Sequence, residues 1–172
     1  VQNTLEEELQ KIQEQWDAEA VGGIIIDPTT GAVYGLGSVP TFNPNTFNTI
    51  EDPSVFTNPL VENVYEMGSI VKPLTMATGL DTGAVTAETT YDDKGCVRVD
   101  GARLCNYDFE GRGVVSMQEV LNQSLNTGVV FVMEKVGKEV FREYLYNLGF
   151  AEVSGVELPS DTAGLVSNLS SE

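Results

Sequence analysis

"VYEMGSIVKPLTM", residues 64–76, sets Ser69 and Lys72 three apart, with Gly68 just before the serine and Pro73 just after the lysine. Residues at this spacing share a helix face, with Cβ atoms about 5–6 Å apart. A helix starting near Ser69 and running to about Leu80 therefore lets the Lys72 amine fold back to the Ser69 hydroxyl. The chain contains no histidine. Ser-His-Asp and Cys-His arrangements are thereby excluded, and an activated serine must borrow another base. Lysine is the candidate, on one condition. With a pKa of about 10.4 an ordinary lysine is protonated at neutral pH, so burial or neighbouring positive charge must lower that value before the amine can accept a proton. Gly68 permits a sharp turn, and a serine at a helix start faces free backbone N–H groups suited to an oxyanion. Pro73, which has no N–H, suits a position in or beside the first turn.

A Ser-x-x-Lys alone arises by composition roughly once in a couple of hundred residues, so a second constellation matters. "LNQSLNTGVVF", residues 121–131, supplies Ser124 and Asn126 at a junction where one helix should end and another begin. Read without further context, Ser124 is a helix N-cap and Asn126 a C-cap or turn residue.

The two cysteines lie in "GCVRVDGARLC", residues 95–105. Asp100-Gly101 is a two-residue hairpin signal, and counting outward pairs Val99 with Ala102, Arg98 with Arg103, Val97 with Leu104 and Cys96 with Cys105. The cysteines fall at a non-hydrogen-bonded pair, with Cα atoms about 4.5 Å apart, near the lower limit for a disulfide. A Cys96–Cys105 bridge implies an oxidising, exported location; the other reading is two free thiols in a cytosolic hairpin. Two cysteines without histidine leave no conventional zinc site, so neither a metal nor another cofactor is expected.

At 172 residues and 41% hydrophobic, the chain has the size and content of one domain or a large piece of one. Its 26 acidic against 9 basic residues give a formal charge of -17, which repels nucleic acid and anionic lipid alike. No apolar run approaches the roughly 20 residues needed to span a bilayer. Thr4 with Glu7 reads as a capping box opening a helix in which Leu5, Leu9, Ile12 and Trp16 recur at helical spacing. "VGGIIIDPTTGAVYGLGS" reads as a hairpin around a Pro-Thr-Thr-Gly turn, with Ile24–Ile26 buried on both faces. Val39 to about Gly68 is a long Asn-, Pro- and Thr-rich stretch without periodicity. Ser116 with Glu119 is a second capping box, opening a helix that includes Val120 and Leu121. A buried helix comes next in "TGVVFVMEKVG" and an amphipathic one in "KEVFREYLYNLG", with Gly149 as its C-cap. "SNLSSE", at 167–172, has the look of a frayed or artificial end.

Several of these segments, in order, resemble the first half of a penicillin-binding protein transpeptidase domain of the class B, monofunctional type. "GGIIIDPTTGAVYGLGSVPTFNPN" resembles the opening strands and the segment after them, "YEMGSIVKPLTM" the Ser-x-x-Lys helix, "SLN" the Ser-x-Asn motif, and "LGFAEVSGVELPSDTAGLV" the stretch beyond. The resemblance covers about Leu5 to Val166. It implies an α+β fold of the penicillin-binding and serine β-lactamase kind, represented by a helical lobe and the N-terminal strands of its antiparallel sheet. The approach "TFNPNTFNTIEDPSVFTNPLVENVYE" is more similar to class B transpeptidases than to β-lactamases.

The resemblance also implies roles. Ser69 would be the acylated nucleophile, attacking a stem peptide ending in D-Ala-D-Ala or the ring carbonyl of a β-lactam. Lys72 would take its proton, Ser124 would pass a proton toward the departing amine, and Asn126 would hydrogen-bond the substrate backbone and Lys72. The implied location is extracytoplasmic, with an upstream membrane anchor. The family usually has Pro where this chain has Met67, and commonly Thr-Phe where it has Ile70-Val71. Neither Lys-Thr-Gly nor Lys-Ser-Gly occurs in the 172 residues. Residues 1–172 are accordingly expected to be the N-terminal portion of one domain, inactive alone, whose 21–37 hairpin presents an unpaired apolar edge. The remaining C-terminal part, as a separate chain, is an expected partner. The rival readings are a non-catalytic scaffold or β-lactam sensor, and a D,D-carboxypeptidase or serine β-lactamase.

Overall fold

The computed structural model describes residues 1–170, which fall into two compact units. One comprises Val1–Val64 with Glu152–Leu165, and the other Tyr65–Ala151 with the segment from Val166 onward. Both mix helix and strand, in agreement with the expected α+β class. Among the described residues no helix is long and apolar enough to cross a membrane.

The first unit lays helix α1 (Gln2–Trp16) on the antiparallel hairpin of β1 (Val21–Ile26) and β2 (Val33–Val39). Glycine makes this close contact possible. A Cβ at Gly23 would stand 3.0 Å from Leu5, and Cβ atoms at Gly35 and Gly37 would stand 3.3 and 3.4 Å from Leu5 and Leu9. Leu9 is buried there, while Ile12 and Trp16 farther along the helix are exposed. The capping box expected at Thr4 does not form. The helix starts at Gln2 without a side-chain cap, and the Gln2 amide instead grips strand β2, donating to the Leu36 carbonyl at 2.9 Å and accepting from its N–H at 3.0 Å. A tertiary pair of hydrogen bonds outweighs a local one.

The hairpin turn forms as read, with Asp27 accepting from Thr29 N–H and Gly31 at φ 75°. The expected burial of Ile24–Ile26 on both faces is overturned: they are 43%, 40% and 51% exposed. Among the described residues the sheet has two strands only, so its end carrying these isoleucines lacks the neighbours that cover a central strand. The same fact agrees with the expected apolar edge. The long stretch after Val39 contains three short turns that periodicity could not reveal. Pro44–Thr49 and Pro53–Phe56 are 3-10 turns and Pro59–Glu62 is a short helix, α2. Each begins with an Asx-Pro pair. Asn43, Asp52 and Asn58 accept from the N–H two residues on, and the adjoining proline supplies a preset φ where no N–H is needed.

In the second unit a 3-10 turn, Gly68–Val71, runs into α3 (Lys72–Asp81). Strand β3 (Thr90–Asp93) leads to the hairpin β4 (Cys96–Val99) and β5 (Ala102–Cys105), and β6 (Gly113–Ser116) returns antiparallel to β3. The β3–β6 pair was not expected from sequence. Helices α4 (Met117–Asn122), α5 (Asn126–Val136) and α6 (Lys138–Asn147) come next. Ser116 caps α4, accepting from Glu119 N–H, and Gly149 ends α6 at φ 87°. Met76, Val85, Met117, Val120 and Val132 form the core between α3, α4 and α5. "SNLSSE" is not frayed over its described part: Ser167–Ser170 form a helical turn, α7, whose Leu169 carbonyl accepts from Arg142 Nη1 at 3.2 Å. Residues 171 and 172 lie outside the described residues.

Candidate active site

The second unit holds all four residues singled out by the two motifs. Ser69 lies on the exposed 3-10 turn, after Gly68 at φ 60°, a left-handed conformation that favours glycine. Its carbonyl accepts from the backbone N–H of Lys72, so turn and helix are continuous. Pro73 stands in the first turn of α3, as its missing N–H requires.

Lys72 points inward and is 9% exposed. Its Nζ donates to the Ser124 carbonyl at 2.6 Å, to Ser124 Oγ at 2.9 Å and to Asn126 Oδ1 at 2.6 Å. These bonds span 52 and 54 residues of sequence, so packing of α3 against α5 makes them. Among the described residues no hydrogen bond joins the amine to Ser69 Oγ, and no ion pair involves Lys72. Burial holds its pKa below the ordinary lysine value. Burial thus acts in the direction that a basic amine requires.

The three acceptors differ chemically. A carbonyl and an amide oxygen can only accept, whereas the Ser124 hydroxyl can accept or donate. An ammonium uses all three as acceptors. A neutral amine has two N–H donors and one lone pair, and only Ser124 can turn its proton toward that lone pair. Of these three acceptors, only the Ser124 hydroxyl can exchange a proton with Lys72.

The junction bearing these groups is strained and anchored. Ser124 adopts φ 52°, costly for a residue with a Cβ, and it is neither the N-cap nor part of a helix. Asn126 is the first residue of α5 rather than a C-cap. Its Nδ2 donates to the Cys105 carbonyl at 2.8 Å, which leaves Oδ1 for Lys72. The cysteine hairpin therefore supports the site. Its register is the one counted from Asp100-Gly101, Cys96 and Cys105 are bonded, and their Cα atoms are 4.0 Å apart.

Three residues that sequence reasoning missed lie behind this junction. Asp93, Asn106 and Thr127 are 2%, 3% and 1% exposed. Asp93 accepts from Thr127 Oγ1 at 2.7 Å, from Gly95 and Arg112 N–H at 2.9 and 3.1 Å, and from Asn106 Nδ2 at 2.9 Å. Burial opposes its ionisation, but these donors together hold the carboxyl below its ordinary pKa. Isolated polar residues in a strand, a loop and a helix carry no joint signal in one sequence. Backbones meet beside these residues at Gly95 and Gly111, where a Cβ on either would lie 2.5–2.6 Å from a carbonyl oxygen.

The chain is similar to proteins of known family. The family described as penicillin binding protein transpeptidase domain matches residues 21–172. Stage V sporulation protein D of Bacillus subtilis (strain 168) is 32% identical over 168 residues, covering 96% of this chain. The probable peptidoglycan D,D-transpeptidase FtsI of Caulobacter vibrioides is 34% identical over 158 residues, covering 92%. This chain spans 26% of the length of each of these curated relatives. Among solved structures, the apo transpeptidase domain of Burkholderia pseudomallei penicillin-binding protein 3 superposes with a TM-score of 0.81 at 25% identity, over 96% of this chain and 45% of that one. Pseudomonas aeruginosa PBP2 in complex with WCK 5153 gives 0.76 at 26% identity, over 92% and 39%. This chain belongs to the penicillin-binding protein transpeptidase domain family.

Proposed function

We propose that this chain is the nucleophile-bearing portion of a class B peptidoglycan D,D-transpeptidase. The carrying observation is the Lys72 amine, buried, with no carboxylate partner among the described residues, and held by both members of the Ser124-x-Asn126 motif. Ser69 Oγ attacks the carbonyl carbon of the penultimate D-Ala while Lys72, as neutral amine, takes the hydroxyl proton. The tetrahedral intermediate collapses with cleavage of the C–N bond, and the departing D-Ala amine receives that proton through Ser124. An acceptor amine then attacks the Ser69 ester, forming the cross-link and returning a proton to Ser69. A β-lactam ring carbonyl takes the first half of this course. Asn126 gives one Nδ2 hydrogen to the Cys105 carbonyl and accepts from Lys72 at Oδ1, so it orients the amine while its second N–H serves the substrate backbone.

The reading carries an extracytoplasmic location and D-Ala-D-Ala stem peptides and β-lactams as ligands. It also makes residues 1–172 the N-terminal portion of the domain. The second wall of the cleft, with a Lys-Thr-Gly strand and part of the oxyanion hole, comes from a further segment, so the 172 residues alone acylate slowly or not at all. Incubation with a fluorescent penicillin, with and without the longer protein's C-terminal part, is the test. Covalent label at Ser69 of the complete protein, absent from Ser69→Ala, is expected. A complete protein that stays unlabelled, or is labelled elsewhere, refutes the assignment.

A further inference from the structure

We propose that Asn106 and Thr127, anchored on the buried Asp93, are positioning residues that hold the Ser124-x-Asn126 turn against Lys72. The inference rests on the transpeptidase reading for its catalytic meaning, but its geometry is independent of that reading.

The first turn of an α-helix has N–H groups without intrahelical partners, and the N-cap side chain ordinarily serves one of them. Here the N-cap of α5 is Leu125, which has no acceptor. Asn106, twenty-one residues before Thr127, takes over: its Oδ1 accepts from Thr127 N–H at 3.3 Å and lies 3.2 Å from Thr127 Oγ1. The orientation of this amide is dictated by chemistry. Its Nδ2 faces both Asp93 oxygens, at 3.1 and 2.9 Å, and the Glu110 carbonyl at 3.1 Å, all acceptors, so the oxygen must face Thr127. The backbone N–H of Asn106 is itself fixed on the Gly95 carbonyl at 2.8 Å.

Consecutive residues grip consecutive residues. The Cys105 carbonyl holds the Asn126 side chain, and the Asn106 side chain holds the Thr127 backbone. The grip cannot be replaced from within α5, because Ser124 and Leu125 offer no cap, and Ser124 sits in a left-handed conformation that only its surroundings maintain. Thr127 has one hydroxyl proton, which goes to the nearest acceptor, Asp93 Oδ1 at 2.7 Å. Tyr91 OH then donates to Thr127 Oγ1 at 3.1 Å. Every member is bonded; among the described residues no buried side-chain nitrogen or oxygen is left without a partner.

The test compares Thr127→Val, which keeps shape and removes the hydroxyl, with Thr127→Ser, which keeps it, and with Asn106→Ala. Titration of the Lys72 amine is tracked by NMR on lysine-labelled protein, beside thermal unfolding, and acylation by a fluorescent penicillin is timed in the complete protein. In Thr127→Val and Asn106→Ala the Lys72 titration is expected to move up toward the ordinary lysine value and the acylation rate to fall about 10- to 100-fold. Thr127→Ser retains both. A lowered unfolding midpoint with unchanged Lys72 titration would reduce the network to fold stability and overturn the inference. Amide hydrogen exchange of Thr127 in the unsubstituted chain decides the matter where Thr127→Val fails to fold. Strong protection is expected, and the fast exchange of an uncapped first-turn N–H overturns the inference. Failure of Ser69 to label, with Lys72 and Thr127 behaving as stated, refutes the transpeptidase reading and leaves the positioning intact.

Discussion

Lys72 and Ser124 are joined twice, Nζ to carbonyl at 2.6 Å and Nζ to hydroxyl at 2.9 Å, across 52 residues of chain. The carbonyl fixes the amine; the hydroxyl can exchange a proton with it. One residue thus supplies both the anchor and, among the groups bonded to the amine, the one able to exchange a proton with it.

Replacement of Lys72 separates charge from basicity. Lys72→Ala removes the base and Lys72→Arg keeps a cation that does not deprotonate, so both are expected to slow β-lactam acylation about 10²- to 10⁴-fold. In the unsubstituted protein the acylation rate rises with pH as the amine loses its proton. Because burial lowers the pKa of Lys72, the midpoint of that rise falls below the ordinary lysine value. Stopped-flow acylation across pH measures it, and a midpoint at or above 10.5 contradicts a desolvated base.

Asp93 ties stability to acid. Its folded-state pKa lies below the ordinary 3.8, so its contribution is fully present above that value and disappears as pH falls through the lowered one. Asp93→Asn is expected to cost about 1–3 kcal/mol at neutral pH, because one buried partner is mismatched, and to flatten that part of the acid dependence. Urea midpoints for both proteins between pH 2 and pH 7, about the range in which such a carboxyl titrates, test the difference.

Gly79 sets how near α3 comes to α5. A Cβ there would stand 2.5 Å from Val132 Cγ1 and 2.9 Å from Val85 Cγ2, and both valines are almost wholly buried. Overpacking costs about 1–3 kcal/mol, against about 1 kcal/mol gained from alanine's helix propensity. Gly79→Ala is expected to destabilise by up to about 2 kcal/mol in urea unfolding and to separate Lys72 from Asn126, slowing acylation. A variant more stable than the parent would show that the helices have room.

The disulfide closes a short loop, Cys96 to Cys105. Replacing both cysteines by alanine is expected to cost about 2–3 kcal/mol through the restored freedom of the unfolded chain. Free-thiol titration of the native protein should find none reactive, and calorimetry of the double variant gives the cost.

Local chemistry was legible wherever it decided the structure. Asp100-Gly101 determined the hairpin register to the residue, Ser116 and Gly149 marked helix ends, and the Ser-x-x-Lys spacing put Ser69 and Lys72 on one continuous turn and helix. The three Asx-Pro caps were equally local, and a reading by periodicity passed over them. What only the tertiary structure decided is whom the buried groups meet. The Lys72 amine bonds across to 124 and 126 rather than back to Ser69, Gln2 clamps β2 in place of a Thr4 cap, and Asp93, Asn106 and Thr127 assemble from three separate elements. Short-range preferences are written in neighbouring residues. Hydrogen bonds between distant ones exist only after apolar packing has brought their elements together and removed the water that would otherwise satisfy them.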